Sequence, residues 1–255
     1  MRILLTNDDG ILAPGLAAMH RQLTTLGDVD VVAPDSAQSA AAHAITINAP
    51  LSAVRLHVHQ EFYGWSISGR PADCVKLAVA ELLDPKPDLV VSGINDGANV
   101  SINVLYSGTV AAAAEGALLG IPAIAVSLER GPELDFDWAA RIARGLIERA
   151  VDGLLGPGQL LNVNIPNLAT GKPRGVRIVG QSVQKMDERY QRRDGPDGST
   201  QYYLEGYFGE SDDEVETDLK ALVAGYVAVT PLHFDLTARE QLGRVADWDW
   251  GALPA

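Results

Sequence analysis

Several things are scarce in this 255-residue chain, and each scarcity narrows the field. It has a single cysteine, Cys74, so no internal disulfide can staple it. Uninterrupted apolar stretches stay short of the ~20 residues a membrane helix requires. The N-terminal Met1-Arg2-Ile3-Leu4-Leu5-Thr6-Asn7-Asp8-Asp9 meets its acids after a brief apolar run and reads as a strand rather than a secretory leader. A reducing cytoplasm and no membrane partner are the matching expectations. Positive charge is also in deficit: 20 Lys plus Arg face 33 acids, a formal net of -13. Such a surface does not neutralise a phosphate backbone, which argues against long nucleic acid as a partner. A small phosphorylated ligand stays open, because a bound dication and a few backbone N–H groups can reverse the field locally. Neither a Gly-x-Gly-x-x-Gly after the first strand nor a Gly-x-x-x-x-Gly-Lys-Ser/Thr occurs, which disfavours a dinucleotide enzyme or a P-loop NTPase.

What is present is ordinary globular composition, 47% hydrophobic and 21% charged, with no linker-like stretch. The expectation is one domain over residues 1–255. Runs of Ile, Leu and Val at 3–6, 29–33, 88–92 and 122–128 alternate with helical spacing at 15–26, 72–83, 107–119 and 138–154. This alternation predicts an α/β fold, a mostly parallel sheet with helices on both faces. A strand at 61–68, with Trp65 and Ile67 alternating with Ser66 and Ser68, reads as half exposed or near an edge. Beyond residue 160 come strands at 160–166 and 176–179, then a polar region at about 184–216. There Asp194-Gly195-Pro196-Asp197-Gly198, flanked by Tyr190 and Tyr202-Tyr203, signals a long protruding hairpin suited to packing on a neighbouring subunit. A short helix capped by Thr217 and a strand from Tyr226 return the chain to the core.

Four segments could carry chemistry. Thr6-Asn7-Asp8-Asp9-Gly10 directly follows the first strand, and in open α/β sheets ligands bind beyond the carboxyl ends of strands. Adjacent carboxylates repel, and a dication is the simplest reason to keep Asp8 and Asp9 ionised in one loop. In isolation, Asp-Asp-Gly is also an ordinary turn or helix cap. Ser39, in the loop after the second strand, offers a hydroxyl acceptable to a hard cation, though loop serines are common. Ser92-Gly93-Ile94-Asn95-Asp96-Gly97-Ala98-Asn99 ends a strong strand and brings the amides of Asn95 and Asn99, with glycines that allow close backbone approach. Tyr106-Ser107-Gly108-Thr109 opens an alanine-rich helix whose free N–H groups suit a phosphate, or simply an Ser/Thr cap. Oxygen-only donors favour Mg²⁺ or Mn²⁺ over zinc. His43, four residues past Ser39, lies near enough to the rim to meet substrate. Cys74 reads as packing, His57 and His59 as strand residues without metal partners, and Asp212-Asp213-Glu214 as solvated surface.

These segments, with Ala13-Pro14-Gly15, Val32-Ala33-Pro34-Asp35, Pro71-Ala72-Asp73-Cys74-Val75, Asn162-Val163-Asn164-Ile165-Pro166 and Gly225-Tyr226 to Leu232, resemble the SurE stationary-phase survival family of 5′/3′-nucleotidases. The matches span nearly the whole chain in order. The resemblance implies a Rossmann-like core, a C-terminal arm exchanged in a homodimer or homotetramer, and one divalent cation per subunit held by Asp8, Asp9, Ser39 and Asn95. It further implies hydrolysis of nucleoside 5′- or 3′-monophosphates, extending to short polyphosphate. Asp8 and Asp9 are then the catalytic residues, Asp9 being the first candidate for proton acceptor and His43 the second. Asn95, Asn99, Ser107, Gly108, Thr109 and His43 would contact substrate. The competing expectation is a nucleotide-sensing module that binds without hydrolysis. One departure is Ala40, where many relatives carry glycine after the serine; another is Tyr202-Tyr203-Leu204-Glu205-Gly206 in the arm, a loose match.

Overall fold

The computed structural model describes residues 1–153, 155–167, 171–207 and 214–251. In chain order its first half runs β1 (Arg2–Thr6), α1 (Pro14–Leu23), β2 (Asp28–Pro34), β3 (Ala53–Val58), β4 (Phe62–Ile67), α2 (Pro71–Leu77), β5 (Leu89–Asp96), α3 (Gly108–Leu118) and β6 (Ala123–Leu128). The second half is α4 (Phe136–Val151), β7 (Leu160–Ile165), β8 (Val176–Ile178), β9 (Asp187–Asp194), β10 (Thr200–Tyr207), α5 (Asp218–Val223), β11 (Val227–Leu232) and α6 (Leu242–Ala246).

Nine strands form one sheet in the order β3-β4-β2-β1-β5-β6-β7-β11-β8, and β9 pairs β10 in a separate hairpin. From β4 through β7 all pairings are parallel; β3 and β11 run antiparallel to their inner neighbours. The central strands read as continuous apolar runs because both their faces are covered. Ile3, Leu5 and Val91 pack with α1 and α4 on one side, and Leu4, Val90 and Ala125 with α2 and α3 on the other. α4 shows how sequence selects a face: Ala139, Ala140, Ala143 and Ile147 recur at helical spacing and are buried, while Asp135 caps the N-terminus by accepting the Trp138 N–H at 2.8 Å.

The expected α/β class is what the chain adopts, with shifts at element ends. The strand expected at 61–68 near an edge is β4, one place in from the border of the sheet, where β3, with Val54 and Arg55 exposed, pairs with it. The expected helix at 72–83 is α2 followed by one wider π-type turn over Ala78–Leu82. A short turn of helix at Ser101–Leu105, not foreseen, leads into α3. The expected end of α4 at residue 154 lies outside the described residues, as do residues 208–213 of the arm, and with them Asp212 and Asp213 of the acidic run. No helix among the described residues is long and apolar enough to cross a membrane.

Candidate functional site

β1, β2 and β5 are neighbours and parallel, so their carboxyl ends bring Asp8-Asp9, the 35–43 loop and Asn95 to one rim. Hydrogen bonds then tie the segments together. The Gln38 N–H donates to the Asp8 carbonyl at 2.7 Å, drawing the loop that carries Ser39 onto Asp8, and the Ala42 N–H donates to the Tyr106 carbonyl at 3.0 Å, joining that loop to the entry of α3. The Asp96 N–H donates to Asp9 Oδ2 at 3.1 Å. The Thr109 hydroxyl donates to Asp8 Oδ1, and its backbone N–H also serves that carboxylate. Gly108 lies so close to Asp8 that a Cβ at this position would sit 2.8 Å from Asp8 Cβ.

Asn95 is placed by a break in the sheet. The β5–β6 register shifts between Ser92 and Asn95, with Gly93 at φ +137° inside the irregularity. A side chain there would meet the Val126 carbonyl oxygen at 2.3 Å. Past the bulge, Asn95 Nδ2 donates to the Gly97 carbonyl at 2.7 Å, which leaves Oδ1 as the atom it offers to a cation. Ser39 is exposed on its loop, one residue before Ala40, which holds φ 54°, the left-handed region where glycine sits without steric cost.

The electrostatics of the two acids are unusual for a turn or a cap. Asp8 is 7% exposed, and its carboxyl is pushed up to about 6, first by burial and further by the neighbouring Asp9, against the Thr109 hydrogen bonds. Asp9 is raised as well, by burial and by Asp96, with Arg130 opposing. Arg130 in turn pairs with Asp96 at 3.0 Å. The pair is thus short of positive charge, and Ser39 and Asn95 stand on the loops that end at the same rim, with a neutral hydroxyl and a neutral amide. Among the described residues no three His, Cys, Asp or Glu side chains gather into a metal cluster. A cation here would therefore depend on the neutral hydroxyl and amide as well as the two carboxylates. That hard, all-oxygen set fits a divalent ion of the Mg²⁺ or Mn²⁺ kind.

The other expected contacts divide into two groups. Ser107, the N-cap of α3, accepts the Val110 N–H at 3.1 Å, so its hydroxyl proton is left to donate, beside the Gly108 N–H of the first helical turn, which has no partner within the helix. His43 Nε2 pairs with Glu115 Oε2 at 2.9 Å, and Lys76 Nζ holds the other oxygen at 2.8 Å. Thr109 is engaged with Asp8, because a carboxylate so far from water needs donors. Asn99 is also committed elsewhere: its amide donates to Ser127 Oγ at 2.9 Å, its N–H to Asn164 Oδ1 at 2.7 Å, and its carbonyl accepts from Asn162 and Asn164. This buried network pins the 95–99 loop. The roles of Asn162 and Asn164 were visible in sequence only as polar letters inside a strand, an anomaly that marks a buried hydrogen-bonding task. Away from the rim, Cys74 is fully buried in the core, His57 stacks on Tyr63 with centroids 4.4 Å apart, and His59 Nε2 lies 3.2 Å from the Leu12 carbonyl.

The family model described as "Survival protein SurE" matches residues 3–188. A 5′-nucleotidase SurE of Syntrophobacter fumaroxidans is 47% identical over 98% of this chain and 100% of its own length, and one of Rhodopirellula baltica is 46% identical over 98% and 99%. The crystal structure of the SurE protein from Aquifex aeolicus superposes with a TM-score of 0.82 at 38% identity, covering 96% of this chain and 98% of that one. With the family model covering most of its length and these relatives aligned end to end, the chain belongs to the SurE family.

Proposed function

We propose that this protein is a divalent-metal-dependent phosphomonoesterase that hydrolyses nucleoside monophosphates to nucleoside and phosphate, as the names of its 5′-nucleotidase relatives indicate. The observation that carries the reading is the direct junction of Asp8 with the N-terminus of α3, which joins a carboxylate cation site to an anion seat. Asp8, Asp9, Ser39 and Asn95 would hold the ion, one per subunit. Bound there, Mg²⁺ or Mn²⁺ would supply charge to polarise a phosphoryl oxygen and acidify the attacking water. Thr109 fixes the Asp8 carboxylate. The Ser107 hydroxyl and the Gly108 N–H donate to phosphoryl oxygens, aided by the positive end of α3. Asp9 receives the proton on Oδ1, since its Oδ2 already accepts the Asp96 N–H. His43, tied to Glu115, lines the substrate side.

The exposed β9–β10 hairpin supports assembly into a homodimer or homotetramer through the arm. Localisation in the cytoplasm is consistent with the single cysteine, held reduced.

The test is phosphate release from 5′- and 3′-nucleoside monophosphates and short polyphosphate, each with Mg²⁺, Mn²⁺ or chelator. Release from nucleotides that disappears in chelator, and is lost by at least about 100-fold in Asp9→Asn while the thermal transition is retained, is the expected outcome. Full activity in chelator would refute metal dependence. Nucleotide binding without any release would favour a sensing module instead.

A further inference from the structure

The loop that carries Asn95 is clamped four residues further on, at Asn99. Both backbone groups and the side chain of this residue are engaged: its N–H donates to Asn164 Oδ1 at 2.7 Å, its carbonyl accepts from Asn162 Nδ2 at 2.8 Å and Asn164 Nδ2 at 3.1 Å, and its Nδ2 donates to Ser127 Oγ at 2.9 Å. Asn162, Asn164 and Ser127 are themselves fully buried. Asn164 thus gives one bond to the Asn99 backbone and takes one from it, so its side-chain amide does for the loop what a neighbouring strand does inside a sheet. The placement follows from the register. Asn95 is the Cα partner of Ser127, and Ser127 of Asn164, so the residue assigned to the ion and two that hold its loop stand in one row across β5, β6 and β7.

The route from this clamp to Asn95 is short. Asn95 Nδ2 donates to the Gly97 carbonyl at 2.7 Å, so the direction of its Oδ1 follows that carbonyl. The Gly97 N–H is fixed on the Leu128 carbonyl at 2.8 Å, and only Ala98 separates Gly97 from the clamped Asn99. A shift of Asn99 therefore turns the Gly97 carbonyl, and the Asn95 amide turns with it. Stability alone does not call for such a clamp, because replacing both partners of a buried neutral hydrogen bond by apolar groups of the same shape costs little. Orientation does call for it. We infer that Asn164, supported by Asn162 and Ser127, is a positioning residue for Asn95 and sets the affinity of the site for its divalent ion. This rests on Asn95 being a ligand of that ion, as the phosphomonoesterase reading has it.

The experiment is calorimetric titration of the full chain with Mn²⁺ and no nucleotide, on the unmodified protein, Asn95→Ala, Asn164→Ala, the double variant and Val163→Ala. Asn164→Ala should weaken Mn²⁺ binding by about 10- to 100-fold, the range for groups that orient a metal ligand. Once Asn95 is already alanine the same change should add no more than about twofold, because the clamp then has no ligand to orient. Val163 lies on the same strand but in the core on the α1 and α4 side, so Val163→Ala loosens β7 without touching the clamp and should leave Mn²⁺ affinity unchanged. Ser127→Ala removes only the bond to the Asn99 side chain and should weaken binding by a smaller factor, which keeps the test open if Asn164→Ala does not fold. Unchanged affinity in Asn164→Ala, or in Ser127→Ala where that variant is needed, overturns the inference. So does an equal loss in Val163→Ala, or a loss that multiplies fully with that of Asn95→Ala. Failure of the underlying reading looks different: Asn95→Ala would then bind Mn²⁺ as tightly as the unmodified chain, which removes the ligand assignment itself. Absence of phosphate release from nucleotides in a separate assay would remove the hydrolase and leave the clamp standing.

Discussion

Glu115 shows how a single residue in this protein is governed by its neighbours. Its side chain is 5% exposed, and burial alone would raise its carboxyl, but the hydrogen bonds from His43 and Lys76 outweigh burial and hold it below its ordinary value of 4.5. The sign of the consequence follows. The unfolded chain takes up the proton at a higher pH than the folded one, so the stability from this group is complete above pH 4.5 and is lost as the pH falls through the depressed value. Replacing Glu115 with Gln should therefore flatten the acid side of the stability curve below that point, measured by chemical denaturation at stepped pH. An unchanged slope would show that His43 and Lys76 give Glu115 no net support. At the same scale lies the clearest limit of sequence reading. Asp8 and Asp9 stood out because paired acids after a first strand are chemically conspicuous. The engagement of Thr109 with Asp8, and of Asn99 with residues 28, 63 and 65 positions away, depends on contacts that no local pattern encodes.

Among the elements, α3 bears most directly on chemistry, since its first turn both fixes Asp8 through Thr109 and is capped by Ser107. Gly108→Ala offers a sharp test. Gly108 is the first residue of α3, where alanine is no worse a helix former than glycine, yet the new Cβ would press on Asp8 at 2.8 Å. Nucleotide kcat/KM should fall by about 100-fold, the cost of misplacing a catalytic group by ~1 Å, with a much smaller change in thermal stability. Parallel losses of both would instead mark Gly108 as a purely structural position. The elements themselves were readable to different degrees. β1, β2, β5 and β6 announced themselves because burial on both faces demands unbroken apolar runs. β3 was legible only as a weak alternation around His57, since its outer residues face water and its inner ones are few. The antiparallel direction of β11 against β7 had no local signature at all; it follows from where the connection leads.

For the whole molecule, the β9–β10 hairpin is the part least explained by a single chain. All eight residues of β9 are exposed, and a lone two-stranded ribbon is marginal in water. Light scattering should give a mass that is a multiple of 27.1 kDa, and replacing residues 187–207 by a short flexible link should reduce it. A chain already monomeric, or an assembly indifferent to that deletion, would rule out the arm as the contact. The strand order carries one more implication, for synthesis on the ribosome. Each residue assigned here to the ion or the phosphoryl group precedes position 110, and β6 is finished at Leu128, whereas its outer partner β7 begins only at Leu160. A growing chain thus holds all its catalytic parts while one hydrogen-bonding border of its sheet is still bare, and it is in that interval that the nascent protein is most exposed to sticking to its neighbours.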